Sequence, residues 1–311
     1  MTAAVTTTPA ERESDTGTAR GVALMVAGGL VLGTIGVFVE EAGQHPLTTV
    51  WFRCAFGGVA LLLWGAASGR LRELRLRGKG LAAALAAGVL MITNWALFFA
   101  AIERTSIGVA TVVFHVQPLW VLALGAWWLR EPVTRRQLGA TLLALAGLAL
   151  ATGLFNGAAS TDNGMSSGYA IGLLMCLGGS LSYAAVTLLA KRAKDDGTSS
   201  FALAWWQCAV GALALAWWPA VHGWPAWGPS WAWLAGLGVI HTGLAYVVLY
   251  AGMARLGTSR IALLQFVYPA VAILVDWAVY GRALGGVQIA GVALMGWALT
   301  AVKRSAETVR T

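Results

Sequence analysis

Apolar runs of about twenty residues, parted by short polar turns, recur along the whole chain, and a run of that length lets a helix cross the ~30 Å of bilayer hydrocarbon. Ten are read, near 20–39, 46–67, 79–102, 105–129, 134–153, 167–190, 200–219, 229–253, 257–280 and 284–302. The pattern predicts an all-α polytopic membrane protein. Residues 1–19 are polar and mixed in charge, without the basic start and cleavage site of a signal peptide, and read as a disordered cytoplasmic tail. A second short tail, 303–311, follows the last run.

Sliding the sequence against itself by 151 residues superposes Arg104 on Arg255, Pro118 on Pro269 and Gln137 on Gln288 without a gap. Near the start of each half "AGGLVLG" (27–33) lies over "LGGSLSY" (177–183) at a shift of 150, and Cys54 meets Cys208 at 154. The halves are 20–153 and 167–302, joined by a Gly/Ser/Asn-rich linker, 154–166, that reads as exposed. Each half holds five spans, and an odd number turns the second copy upside down. The expected fold is two inverted five-helix repeats, an architecture that presents one site to two sides.

Composition agrees: 58% of the 311 residues are apolar and 11% charged, against about 25% charged in soluble domains. The formal charge of +8 does not point to nucleic acid, because of where it sits. Of the 21 lysines and arginines, 17 fall on the side of the termini, Arg104 and Arg282 on the other, and Arg53 and Arg260 inside spans. That bias expects both termini in the cytoplasm. Cys54, Cys176 and Cys208 lie within spans with no pairing or metal-ligand spacing and read as packing residues. Tryptophans at span ends, such as Trp127, Trp128, Trp217 and Trp218, read as interfacial anchors.

The candidate chemistry lies at mid-depth. "FHVQPLW" (114–120) and "QFVYPAV" (265–271) each place a proline and polar groups in the middle of an apolar run. A proline cannot donate to the carbonyl four residues earlier, so Pro118 frees that of Phe114 and Pro269 that of Gln265. Paired interruptions in matching spans point to a transporter's binding site, the alternative being a kink in a packed helix. Gln265, Tyr268, Pro269, Ala272 and Asp276 share one helical face, as do Phe114, Gln117, Pro118, Val121 and Gly125, with His115 at the edge. Asn94, Trp95, Phe98 and Phe99 in the third span, Tyr183 in the sixth, and Tyr246 and Tyr250 in the eighth extend the candidate walls, with plain core packing as the alternative. His241 reads as a helix-to-helix bonding residue. Arg53 and Asp276, ionisable groups at compatible depths, are expected to pair or share a wet cavity as a gate or a proton-coupling site, the alternative being that each reaches headgroups or water.

The ten spans, "WFRCAFGGVALLL" (51–63), and "WLREP" (128–132) followed by "RRQLGATLLALAGLALA" (135–151) resemble the EamA-type transporters of the drug/metabolite transporter (DMT) superfamily. The resemblance covers the chain apart from its tails. It implies a carrier in the bacterial inner membrane that moves small metabolites, often exporting amino acids or related compounds. One departure from symmetry is visible: Glu131 of "LREP" has Arg282 at the matching place. A membrane-embedded enzyme and a non-transporting assembly or sensor subunit are the rival classes. Against the enzyme, "GMSSG" (164–168) sits in a polar linker without the strand-turn-helix setting of a nucleophile elbow, and no phosphate loop, metal cluster or intramembrane carboxylate pair is present in the sequence. The expectation is a secondary transporter, not an enzyme, monomeric or homodimeric. Its partners are a small-molecule substrate and the lipid bilayer, it uses no cofactor, and its energy comes from a gradient of substrate or protons.

Overall fold

The computed structural model describes residues 9–105, 107–152, 167–193, 195–282 and 284–307. The linker 154–166, with most of "GMSSG", and the ends of both tails lie outside the described residues.

Ten helical segments follow in order. Helix α1 runs Pro9–Gly33 and resumes as Ile35–Ala42; α2 is Pro46–Ala67, α3 Gly78–Ile102, and α4 is broken into Ile107–Phe114 and Gln117–Trp128. Helix α5 is Arg135–Ala151, α6 Ser167–Arg192, α7 Ser200–Ala214 continued by Trp217–His222, and α8 Ser230–Gly238, a π-helical Val239–Leu244, then Ala245–Met253. Helix α9 is Thr258–Leu264 and Val267–Tyr280, and α10 Gly286–Glu307.

Two features differ from the sequence reading. The helix expected to begin at 20 begins at Pro9, a residue suited to a first helical turn because its missing N–H needs no partner there. The ten spans are also unequal. Among the described residues eight segments are long and apolar enough to cross a membrane, while α10 has only a shorter apolar stretch, Gly286–Thr300. The 17 residues of α5 reach about 26 Å at ~1.5 Å per residue. Helices α5 and α10 pack along each other, beside the rest of the bundle.

The packing repeats under exchange of halves. Helix α3 lies on α6 as α8 lies on α1, α3 on α7 as α8 on α2, and α4 on α6 as α9 on α1; α2 meets α7, α4 meets α9, and α5 meets α10. Every one of these contacts maps onto itself or another when helix n is replaced by n+5. Both fourth helices of the repeats break within one residue of the matching place, 115–116 in α4 and 265–266 in α9, just ahead of Pro118 and Pro269.

The α2–α8 crossing depends on glycine. A Cβ at Gly238 would stand 2.4 Å from the Cβ of Phe56 and 2.8 Å from the backbone nitrogen of Gly57, whereas one at Gly36 meets nothing within 4 Å. Gly238→Ala is therefore expected to destabilise the bundle by about 1–3 kcal/mol through overpacking, and Gly36→Ala to be neutral or slightly stabilising. Thermal unfolding of the two variants in one detergent checks this, and equal melting temperatures would contradict it.

Candidate functional site

The breaks and close crossings leave a cavity of about 220 Å³ at mid-depth between the two repeats. Its walls are Leu32, Ile35 and Val39 from α1, Arg53 from α2, Asn94, Trp95, Phe98 and Phe99 from α3, Phe114 from α4, Tyr183 from α6, Tyr246 from α8 and Tyr268 from α9. The aromatic faces expected from the sequence thus converge on one space. Phe98 and Phe114 pack with ring centroids 4.9 Å apart.

Arg53 supplies the charge. It is only 5% exposed; its Nε donates to the Thr242 hydroxyl at 3.1 Å, and its guanidinium lies over the Trp95 ring, 4.9 Å from the centroid. The Tyr246 hydroxyl is a second neutral partner. Thr242 is held in turn by donating to the Leu237 carbonyl at 2.9 Å, a five-residue reach that belongs to the π-helical turn. Such one-turn bulges re-aim side chains, often at functional sites. His241 in the same turn bonds Thr34 at 2.9 Å, where α1 is interrupted, so its expected helix-to-helix role is met.

Other polar candidates are occupied by the protein itself. Gln117 donates to Gln265 at 2.9 Å, and Gln265 donates to the Thr187 hydroxyl at 3.1 Å. Tyr250 donates to Gln207, and Trp120 donates to Ser180 at 3.1 Å. Gln117, Pro118 and Tyr250 are not among the residues that line this cavity; the Gln117 bonds tie α4, α6 and α9 together, and the Tyr250 bond ties α7 to α8. Gln265 reaches only a small void beside Tyr268.

A second cavity, about 740 Å³, shares the wall residues Ile35, Val39, Phe98 and Tyr268 with the first. It holds His115 and Pro269, and Glu40, Asp276, Arg282 and Gln288 add polar groups. His115 Nδ1 lies 2.6 Å from the Thr111 carbonyl, and its Nε2 is buried without a partner among the described residues. The expected Arg53–Asp276 pair does not form. Asp276 bonds Arg282 at 2.6 Å, and Arg282 also reaches Glu40 at 2.8 Å. The α9 helix ends at Gly281 in the left-handed region, φ 63°, and that reversal puts Arg282 within reach of the Asp276 carboxylate.

At the opposite end of the repeats, Lys191 of α6 meets Glu131 at 2.7 Å and donates to the Leu256 carbonyl at 2.8 Å. Glu131 also accepts from the Thr258 backbone N–H at 2.7 Å and hydroxyl at 2.8 Å. Partial burial pushes the Glu131 carboxyl up, but the bonds from Lys191 and Thr258 outweigh it and hold the group below its ordinary value. The shift of 151 that aligns the prolines carries Glu131 onto Arg282 and Glu40 onto Lys191. The two ends are closed by the same pair of positions with the charges exchanged. They are not equally protected. Lys191 and Glu131 side chains are 19% and 29% exposed, Arg282 and Glu40 55% and 48%.

Among the described residues no group of three or more His, Cys, Asp or Glu is placed to hold a metal ion. The three cysteines are free and buried.

Two homologous five-helix units around a cavity with a contact at each end define a multi-pass membrane transporter. The chain belongs to the EamA-like transporter family, whose model matches residues 19–153 and again 170–302. It is similar to an uncharacterized transporter, YxxF, of Bacillus subtilis (strain 168), 29% identical with 90% of this chain and 89% of that one covered. An uncharacterized transporter of Archaeoglobus fulgidus is 28% identical, with 88% and 93% covered. A solved crystal structure superposes with a TM-score of 0.79 over 96% of this chain and 99% of that one, at 18% identity, a likeness of fold.

Proposed function

We propose that the protein is a secondary transporter that exports small metabolites of amino-acid size, or related compounds, across a bacterial inner membrane by alternating access. The observation that carries this reading is the aromatic-walled cavity between the repeats, with charge-exchanged closures at the two ends of the repeats. One closure is half-buried and tied into a helix start; the other is water-exposed and borders the larger cavity. A site shut at the Glu131 end and approached from the Arg282 end is one state of such a cycle, and the inverted repeat supplies the other. Trp95, Phe98, Phe99, Phe114, Tyr183, Tyr246 and Tyr268 form the binding walls in this reading, and the ion pairs at the two ends act as gates. Both termini face the cytoplasm, a placement supported by the excess of basic residues on their side. The driving force is a gradient of substrate or protons.

Purified protein in proteoliposomes, loaded with labelled amino acids and small organic acids, is expected to release at least one of them saturably and faster than protein-free vesicles. An enzyme would convert the label and an assembly subunit would move none, and either outcome ends the proposal. In intact cells an impermeant thiol reagent is expected to reach a cysteine at Trp227 but not one at Arg75; the reverse pattern inverts the topology.

A further inference from the structure

The transport reading leaves open what the cavity is charged to receive. A guanidinium is a permanent cation with five N–H donors in a fixed fork. At Arg53 the fork is buried at membrane depth, and its protein partners, Thr242 and Tyr246, are both neutral. Among the described residues no carboxylate pairs with it, the ion pairs there being Arg70–Glu73, Lys191–Glu131 and Arg282 with Glu40 and Asp276. A charge at that depth costs several kcal/mol unless something answers it. The repeat does not answer it: the shift of 154 that aligns Cys54 with Cys208 sets Arg53 on Gln207, which is neutral.

The cavity therefore has one cation, no described anion, and walls that are otherwise aromatic and aliphatic but for the Asn94 amide and the hydroxyls of Tyr183, Tyr246 and Tyr268. A void of about 150 Å³ holds benzene, so 220 Å³ leaves room for a ring with a short acidic side arm. We infer that the central cavity binds an organic monoanion, a carboxylate on a flat apolar body, with the carboxylate on the Arg53 fork and the body against the wall that Phe98 and Phe114 form together. A carboxylate matches the planar fork bidentately. A zwitterion brings an ammonium for which these walls hold no described carboxylate, and a cation is repelled. This inference deepens the transport proposal and rests on its cavity, yet binding can be read without flux.

The test is thermal stabilisation of the purified protein in detergent by phenylacetate, indole-3-acetate, phenylacetamide, phenethylammonium and phenylalanine. The two monocarboxylates are expected to stabilise the wild type, and the neutral amide and the cation not to. In Arg53→Gln the carboxylates are expected to bind about 100-fold more weakly, the scale of losing one member of a buried charge pair. Arg53→Lys, which keeps the charge without the fork, is expected to fall between. Without ligand, Arg53→Gln is expected to melt no lower than the wild type, since it removes a buried charge that has no anionic partner. Equal stabilisation by amide and acid, unchanged carboxylate affinity in Arg53→Gln, or no response to either monocarboxylate each overturns the inference. Carboxylate binding without flux in proteoliposomes would sink the transport proposal and leave this one standing.

Discussion

Glu131→Gln is expected to open the Lys191 end of the protein, making a cysteine at Met253 react with an impermeant reagent applied from that side. Met253 is 1% exposed and ends α8, three residues before Leu256, whose carbonyl accepts from Lys191. The carboxylate accepts from Lys191 and twice from Thr258, at 2.7–2.8 Å. Hydrogen bonds to a charged group contribute about 1.5–3 kcal/mol, so neutralising it lowers the closed population roughly ten- to hundredfold. The same argument fixes the pH response. A carboxyl held below its ordinary value when closed contributes fully above the open-state value of about 4.3. That contribution is lost only as pH falls through the lower, closed-state value. The closure should thus persist down to the ordinary carboxylate range and fail beneath it. Arg282→Gln at the other end is expected to change accessibility little, because exposed pairs contribute about 0–1 kcal/mol. Unchanged protection of Met253→Cys in Glu131→Gln would remove the closure from the account.

The second large effect is expected at the prolines. Pro118→Ala and Pro269→Ala should cut transport by about tenfold or more, the scale of losing one ~1.4 kcal/mol interaction, while expression and melting temperature stay at or above wild type. Alanine restores an N–H that can reach the carbonyl at 114 or 265 and close the break. Straightening α4 moves Phe114, and straightening α9 moves Tyr268, both cavity walls. Pro269 lines the second cavity itself, so its variant should suffer more. Flux and apparent affinity measured beside thermal unfolding decide the matter, and wild-type transport in both variants would reduce the breaks to packing features.

Much of this was legible in the sequence, because the information was periodic. The 151-residue shift carried the repeat, the paired breaks and the matched positions Glu131 and Arg282. The aromatic walls could be read because Trp95, Phe98 and Phe99 fall on one helical face. The aliphatic wall from α1 could not: Leu32, Ile35 and Val39 look the same whether they face lipid or a cavity. Gln117, Gln265 and Tyr250 were read toward a ligand because buried polar groups need partners, but sequence does not separate a ligand from a neighbouring side chain. The π-helical turn that aims Thr242 at Arg53 inserts no telltale residue. Pairing Arg53 with Asp276 followed from compatible depth, and overlooked Gly281, whose left-handed turn gave Asp276 a closer partner.

The claim that transport requires the Glu131 end to open is tested most directly by tying it shut. In a variant with Glu131→Cys and Lys191→Cys, and the three native cysteines replaced by alanine, a short reducible bis-thiosulfonate cross-link spans the two sides of the closure. Flux through proteoliposomes, compared with the same variant before treatment, is expected to stop on cross-linking and to return on reduction, and flux through each single-cysteine variant is expected not to respond to the reagent. Full flux through cross-linked protein would contradict alternating access through that end.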